Sequence, residues 1–485
     1  MSTLDNLQPV TVFSYFRDIC NIPHGSGNTK EISDYCVNFA KERGLWYRQD
    51  ESGNVIIRKP ATKGRENDKG IIIQGHLDMV AVKDEDSSHD FSKDALELVV
   101  DGDYLYAKGT SLGGDDGIAI AYALALLASD TISHPQIEAI FTVDEEIGLL
   151  GAAAIDLSDV TGSYLLNIDS EEEGVLLVSC AGGLSGDISL PVKRVNCSGI
   201  LVKVSVDGLI GGHSGVEIDK ERCNAIKLMG RLLFDLHQQF DFKLVSLEGG
   251  EKDNAIAKKC EAVLLVYSEK VRELLRVIDN LEKIYLNEYR ASDSGLRIDV
   301  ETGDRVSDKE CVDNIYLEKI IFLLRQLPYG VMHRSVEIEG LVETSMNLGI
   351  LRLSDNDEEL ALTVSLRSSE NTRKEELNDR VCYLVEFLGG TYSTSGEYPA
   401  WPYRSDSELR PKMADIYRDM FGEELRVEAI HAGLECGILL EKKPELDAVS
   451  FGPDILDIHT TKERLCISSV ERMWRYLVEV VEHVS

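Results

Sequence analysis

Short apolar runs alternate with amphipathic segments along the first third of the chain. A stripe of Ile32, Tyr35, Cys36, Phe39 and Ala40 predicts an amphipathic helix from a cap at Thr29 to about Arg43. Ser52-Gly53-Asn54 reads as a hairpin turn before the strand Val55-Ile56-Ile57. The β-branched run Ile71-Ile72-Ile73 predicts a buried strand. Asp84 to Asp94 reads as a polar surface loop, and Asp101-Gly102 as a second hairpin turn. Ile118 to Leu127 is apolar almost all round, the pattern of a buried helix. Ile137 to Val143 and Tyr164 to Ile168 predict two further strands. Strands interleaved with helices indicate an α/β domain with a buried sheet.

The pattern changes after about residue 185. Leu201 to Val206 alternates like a strand with one exposed face, amphipathic helices are expected around 220–238, 269–286 and 312–327, and a second alternating set lies at 345–367. This reads as an inserted α+β domain. Helix and strand signals resume from about 398. The expected organisation is therefore a discontinuous domain of residues 1–185 and 398–485, interrupted by an insert at 186–397.

Polar residues collect where the predicted strands end. Gly75-His76-Leu77-Asp78-Met79-Val80 follows the Ile71 strand, and a His two residues before an Asp puts both side chains on one face of an extended segment. Asp115 and Asp116 stand in the loop Gly113-Gly114-Asp115-Asp116-Gly117 at a helix N-terminus, Asp144-Glu145-Glu146 and Asp169 end two strands, and His459 follows Asp457 near the chain's end. Each has a dull reading alone: a packed strand end, an acid beside a helix dipole, a solvated loop, a surface histidine. Together they deliver carboxylates and imidazoles to the carboxyl ends of several strands, where ligands bind in α/β sheets. So many converging acids need a cation to offset their repulsion. Mixed His and carboxylate donors suit zinc, and also manganese or cobalt. A metal pair would share one carboxylate, and one acid outside the ligand set would serve as general base.

Composition narrows the options. The formal net charge is −34, with 85 acidic against 51 basic residues, which excludes nucleic acid as a natural partner. No run approaches eighteen apolar residues, so no membrane span is expected, and the first residues lack a basic segment followed by an apolar one. The ten cysteines form no CxxC pair or framework, as in a reducing, cytoplasmic compartment.

Seven segments in order carry a resemblance: GHLDMV, GTSLGGDDGIAIA, TVDEEIGLLGA, LLNID, GGHSGVEI, HAGLECG and GPDILDIHT. They resemble the di-zinc exopeptidase family that includes carboxypeptidase G, peptidase T and the aminoacyl-histidine (Xaa-His) dipeptidases, most closely the last group. The resemblance implies a three-layer α/β/α catalytic domain with a mixed sheet and two divalent ions, and an inserted α+β lid. His76 and Asp169 would hold one ion, Glu146 and His459 the other, and Asp115 would bridge them, with a cis peptide to Asp116. Asp78 would orient His76, and Glu145 would act as general base. His213, otherwise a turn histidine between glycines, would donate to the substrate's carbonyl oxygen. Asn254 and Arg367 would grip the substrate's terminal carboxylate or backbone, unless they serve as turn and salt-bridge residues. Glu435 would meet the substrate's amino group or, equally, belong to a loop packed in the core. The implied activity is a cytoplasmic metallodipeptidase acting on Xaa-His, carnosine-type or broader dipeptides, and a homodimer through the lid is possible within the family. A related aminoacylase or deacetylase, or a non-catalytic peptide-binding protein on the same fold, is the alternative. The chain departs from the family pattern at Ala257, where proline is usual, at Gly114 in place of alanine, and at Thr460-Thr461 in place of Ser-Pro.

Overall fold

The computed structural model describes residue 4 and residues 6–484. They form two compact units: one of residues 1–180, 401–429 and 434–485, the other of residues 181–400 and 430–433.

Among the described residues, the first unit holds an eight-stranded mixed sheet in the order Trp46–Gln49, Val55–Lys59, Ile137–Thr142, Ile71–His76, Tyr164–Asn167, Asp447–Ser450, Val175–Cys180, Arg426–Ile430. Its centre is parallel: Ile71–His76 pairs in parallel with Ile137–Thr142 and with Tyr164–Asn167, which pairs in parallel with Asp447–Ser450. These strands are buried on both faces, as their continuous apolar runs require. The expected turn after Gln49 closes a hairpin, with Asp50 Oδ1 accepting the amides of Ser52, Gly53 and Asn54 at 2.9–3.0 Å. The helix Gly114–Ala128 is buried along almost its whole length and packs on Ile71–His76. Gly75 permits that approach, because a Cβ there would stand 2.4 Å from Asp116 Oδ2 and 2.7 Å from Ala119 Cβ. Thr29 does not cap its helix. Its backbone is already helical, and Lys30–Glu42 starts without a side-chain cap.

A smaller sheet of the same unit has the order Ile455–Leu456, Arg464–Cys466, Tyr104–Ala107, Leu98–Asp101. Its first two strands pair antiparallel, so residues 457–463, with His459 among them, form the loop between them.

The second unit is built on a nine-stranded sheet whose described pairings are all antiparallel, with a single large core beneath it. Its helices include Ala225–His237, capped by Asn224, then Val271–Glu288, and Asn314–Gln326, capped by Asp313. The chain leaves the first unit at 180 rather than 185 and returns at 401 rather than 398. Cys180 and Trp401 exchange backbone hydrogen bonds of 3.0 and 3.1 Å, and Gly182 already belongs to the second unit's sheet. Residues 430–433 also belong to the second unit, so the motif HAGLECG is divided between the two: His431 in one, Glu435 in the other.

Candidate metal centre

The acids and histidines expected to converge in the first unit do so. His76 ends its strand, Asp144 to Glu146 and Asp169 follow the next two parallel strands, Asp115 opens the buried helix, and the hairpin loop supplies His459. Asp115 stands between the two histidines: Oδ1 lies 3.1 Å from His76 Nε2, and Oδ2 lies 3.2 Å from His459 Nε2. His459 Nε2 is also 2.8 Å from Glu146 Oε1, and His76 Nε2 is 3.8 Å from Asp169 Oδ1. The ligand atoms of Asp115, Glu146 and His459 all lie within 4.8 Å of one another, as do those of His76, Asp116 and Asp169. The Asp115–Asp116 peptide is cis. Asp116 sits behind the rim, its Oδ2 accepting the His76 amide at 3.2 Å. His459 itself has φ +60°, a left-handed conformation that a side chain other than glycine rarely adopts.

The two histidines are fixed differently. His76 Nδ1 donates to the main-chain carbonyl of Asp78 at 2.9 Å, with the Asp78 carboxylate farther off at 3.5 Å. That carboxylate accepts the Glu145 and Glu146 amides at 3.0 and 3.3 Å and the Ser26 hydroxyl at 2.8 Å. Asp78 therefore orients the imidazole mainly through its carbonyl, and uses its side chain to hold the acidic loop.

The electrostatics of the cluster call for positive charge. Burial opposes protonation of His76, yet hydrogen bonds to Asp115 and Asp78 raise it well above the usual imidazole range. Hydrogen bonds to Asp115 and Glu146 raise His459 to about 10. Burial pushes Asp116 and Asp169 well above the carboxylate range, aided by neighbouring acids. Burial, with Glu435, Glu146 and Asp115 nearby, lifts Glu145 to about 8 against the pull of His76. Divalent cations would meet this demand and leave both imidazoles neutral as ligands. Hard oxygen donors shared around two imidazoles fit a pair of such ions.

Sequence reasoning missed two carboxylates here. Glu463 is only 3% exposed and accepts backbone amides from the Asp115 loop. Glu171 is largely buried, and burial together with Asp115 raises it to about 7. The one available signal was position: each follows a candidate ligand within four residues. Glu435 does not open onto the rim. It is 0% exposed and accepts from Gln74 Nε2 at 2.5 Å and Thr142 Oγ1 at 2.6 Å, which places it in the sheet's core.

The remaining expected residues lie in the second unit. His213 and Ala255 pair across a short two-stranded ladder, and Ser214 donates to the Asn254 carbonyl at 2.8 Å, so His213 and Asn254 are neighbours. His213 Nδ1 accepts the amides of Gly215 and Val216 at 3.2 and 3.3 Å. In the neutral ring the proton is therefore on Nε2. Burial and the nearby Arg367 lower the His213 pKa. Arg367 donates from Nη1 to Tyr398 Oη at 2.8 Å, while its Nε is buried with no partner among the described residues. Its strand neighbour Ser345 meets His431 Nε2 at 2.7 Å.

The family model for peptidase family M20/M25/M40 matches residues 72–483. The chain is 35% identical over 486 residues to the cytosol non-specific dipeptidase of Escherichia coli K12, covering 100% of this chain and 99% of that protein. The crystal structure of aminoacylhistidine dipeptidase from Vibrio alginolyticus superposes with a TM-score of 0.92 at 35% identity, covering 100% of this chain and 98% of that one. The aminopeptidase PepT of Bacillus cereus shares the fold at 15% identity, with a TM-score of 0.56 and 99% of each chain covered.

Proposed function

The chain belongs to peptidase family M20/M25/M40, and we propose that it is a cytoplasmic metallodipeptidase using two divalent ions, zinc in the first instance with manganese or cobalt as alternatives. The observation that carries this reading is Asp115, whose two oxygens face His76 and His459 separately. His76 and Asp169 would hold one ion, Glu146 and His459 the other, and Asp115 both. When bound, such ions polarise the scissile carbonyl and bring the pKa of water down to about 7.

The chain's own groups do the rest. Glu145, held by its amide to Asp78 and close to His76 and Glu146, takes the proton of the attacking water and passes it to the leaving amine. His213 donates Nε2–H to the developing oxyanion. Its Nδ1 is already occupied by two amides, so it acts as a fixed neutral donor. Arg367 and Asn254 take the substrate's terminal carboxylate and backbone, for which a guanidinium fork is well shaped. The two relatives at 35% identity over the full length are named as dipeptidases, which supports a dipeptide as substrate. A second copy of the chain, meeting through the second unit, is the partner this reading expects.

The test is turnover of the metal-loaded protein on a panel of dipeptides that includes carnosine, other Xaa-His pairs and N-acetylated controls. Cleavage of free dipeptides with the acetylated forms spared is expected. Preference for the acetylated forms would make the protein an aminoacylase or deacetylase, and binding without cleavage would remove the catalytic reading.

A further inference from the structure

We propose that Glu463 is a positioning residue for the bridging carboxylate: by taking up the amides of the Asp115 loop, it fixes the backbone from which the two oxygens of Asp115 face two cations. The inference rests on the two-metal reading above and goes beyond it, because Glu463 is no ligand.

Its carboxylate accepts four backbone donors. Oε2 takes Leu112 N at 2.7 Å and Gly113 N at 3.0 Å, while Oε1 takes Gly114 N at 2.8 Å and Asp115 N at 3.3 Å. Asp115 and Asp116 have non-helical backbone angles, so the regular helix begins only beyond them and these amides lie in the turn that leads into it. They have no acceptor within the helix. Glu463 reaches in from another part of the chain and supplies one. With the amides unclaimed, the turn would lose its anchor, and Asp115 the backbone orientation that splits its carboxylate between His76 and His459.

The position of Glu463 adds a second link. It lies on the hairpin loop that carries His459, and its own amide closes that loop onto Thr460 O at 3.2 Å. One side chain therefore ties the loop bearing a ligand of one ion to the loop bearing the shared ligand. The packing leaves little room for another arrangement. Gly113 has φ +68°, and a Cβ there would meet Met79 Sδ at 2.8 Å; a Cβ on Gly114 would stand 3.3 Å from Glu463 Oε1.

The test is metal titration of the full chain and its variants Glu463→Gln and Glu463→Asp, read by competition with a chromophoric chelator for zinc and for manganese. Folding is followed by circular dichroism, and kcat and KM are measured at low and high metal. An amide at 463 presents an NH₂ where two donors already point, and the shorter aspartate carries the charge with less reach. We expect both variants to fold, to bind the first equivalent of metal nearly as wild type does, and to bind the second about 10–100-fold more weakly. The Asp variant should lie between wild type and Gln, and excess metal should restore kcat at unchanged KM. Wild-type affinity for both equivalents in Glu463→Gln would overturn the proposal. So would equal weakening of both equivalents in step with a lower melting temperature, the mark of a merely structural role. If the wild type itself bound fewer than two ions, the two-metal reading would fall instead, and that outcome is separate from either.

Discussion

Asp78 and Glu145 are joined directly: Oδ1 of the first accepts the amide of the second at 3.0 Å, and Oδ2 accepts the next amide, that of Glu146, at 3.3 Å. The carboxylate beside the His76 loop thus holds the proposed base and a proposed ligand in register. Asp78→Ala should lower turnover or metal affinity by about 10–100-fold, the usual effect of losing a group that orients ligands. Asp78→Asn, which keeps one acceptor, should lose less. Metal titration and steady-state kinetics on both variants check this, and wild-type values in Asp78→Ala would contradict it.

Glu145 is the acid proposed as general base. Glu145→Gln should reduce kcat by about 10²–10⁴-fold, with metal content and KM little changed. Metal analysis alongside the kinetics separates this from loss of an ion.

Removing the ions should leave the burdened carboxylates Asp116, Asp169 and Glu145 to protonate or repel. Chelation at neutral pH is expected to abolish turnover and to lower the melting temperature. Zinc, manganese or cobalt should restore both. A ligand at about 1,000 times its Kd adds about 4 kcal/mol to stability, so the thermal shift should be readily measured by calorimetry.

Arg367 has a buried Nε without a partner among the described residues and donates to Tyr398. Arg367→Lys retains the charge but not the fork. KM should rise by about 10–100-fold, as for loss of a charged hydrogen bond, while kcat changes little.

His431, in the second unit, supplies a pH test. Burial, with Arg367 and His213 nearby, lowers its pKa to about 3, against about 6.5 in an unfolded chain. Between those values the unfolded chain holds a proton that the folded chain refuses, so stability falls as pH drops from about 6.5 toward 3. His431→Gln removes this dependence. The stability gap between wild type and variant should therefore shrink on acidification, by an amount on the order of a few kcal/mol. Calorimetry of both metal-free proteins at pH 7 and pH 4.5 measures it, and a constant gap would contradict the assignment.

Much of this was legible in the sequence because burial leaves a strong mark. Strands such as Ile71–His76 and Ile137–Thr142 are covered on both faces, so their apolar runs and the polar residues after them stand out. The convergence of His76, Asp115, Glu146, Asp169 and His459 could be expected for that reason, with the ordered motifs to support it. Glu463 was not, because its partners are backbone amides, which leave no residue type to read. Thr29 looked like a cap by type alone, but capping depends on backbone conformation, and Thr29 is already helical. The unit boundary missed by a few residues at each end because the crossing at Cys180 and Trp401 is made by main-chain bonds. Glu435 could be read either way, since a buried acid and an amine-binding acid look the same until their neighbours are known.

The hairpin loop at 457–463 has a consequence for how the protein is made. His459 and Glu463 leave the ribosome only after the whole second unit and most of the first have been synthesised. A nascent chain that already carries His76, Asp115, Glu146 and Asp169 still lacks one of the two imidazoles and the carboxylate that accepts the Asp115-loop amides. Hydrolytic competence would then arise in a single late event, and a chain stopped before residue 459 would be an incomplete site rather than a weak enzyme.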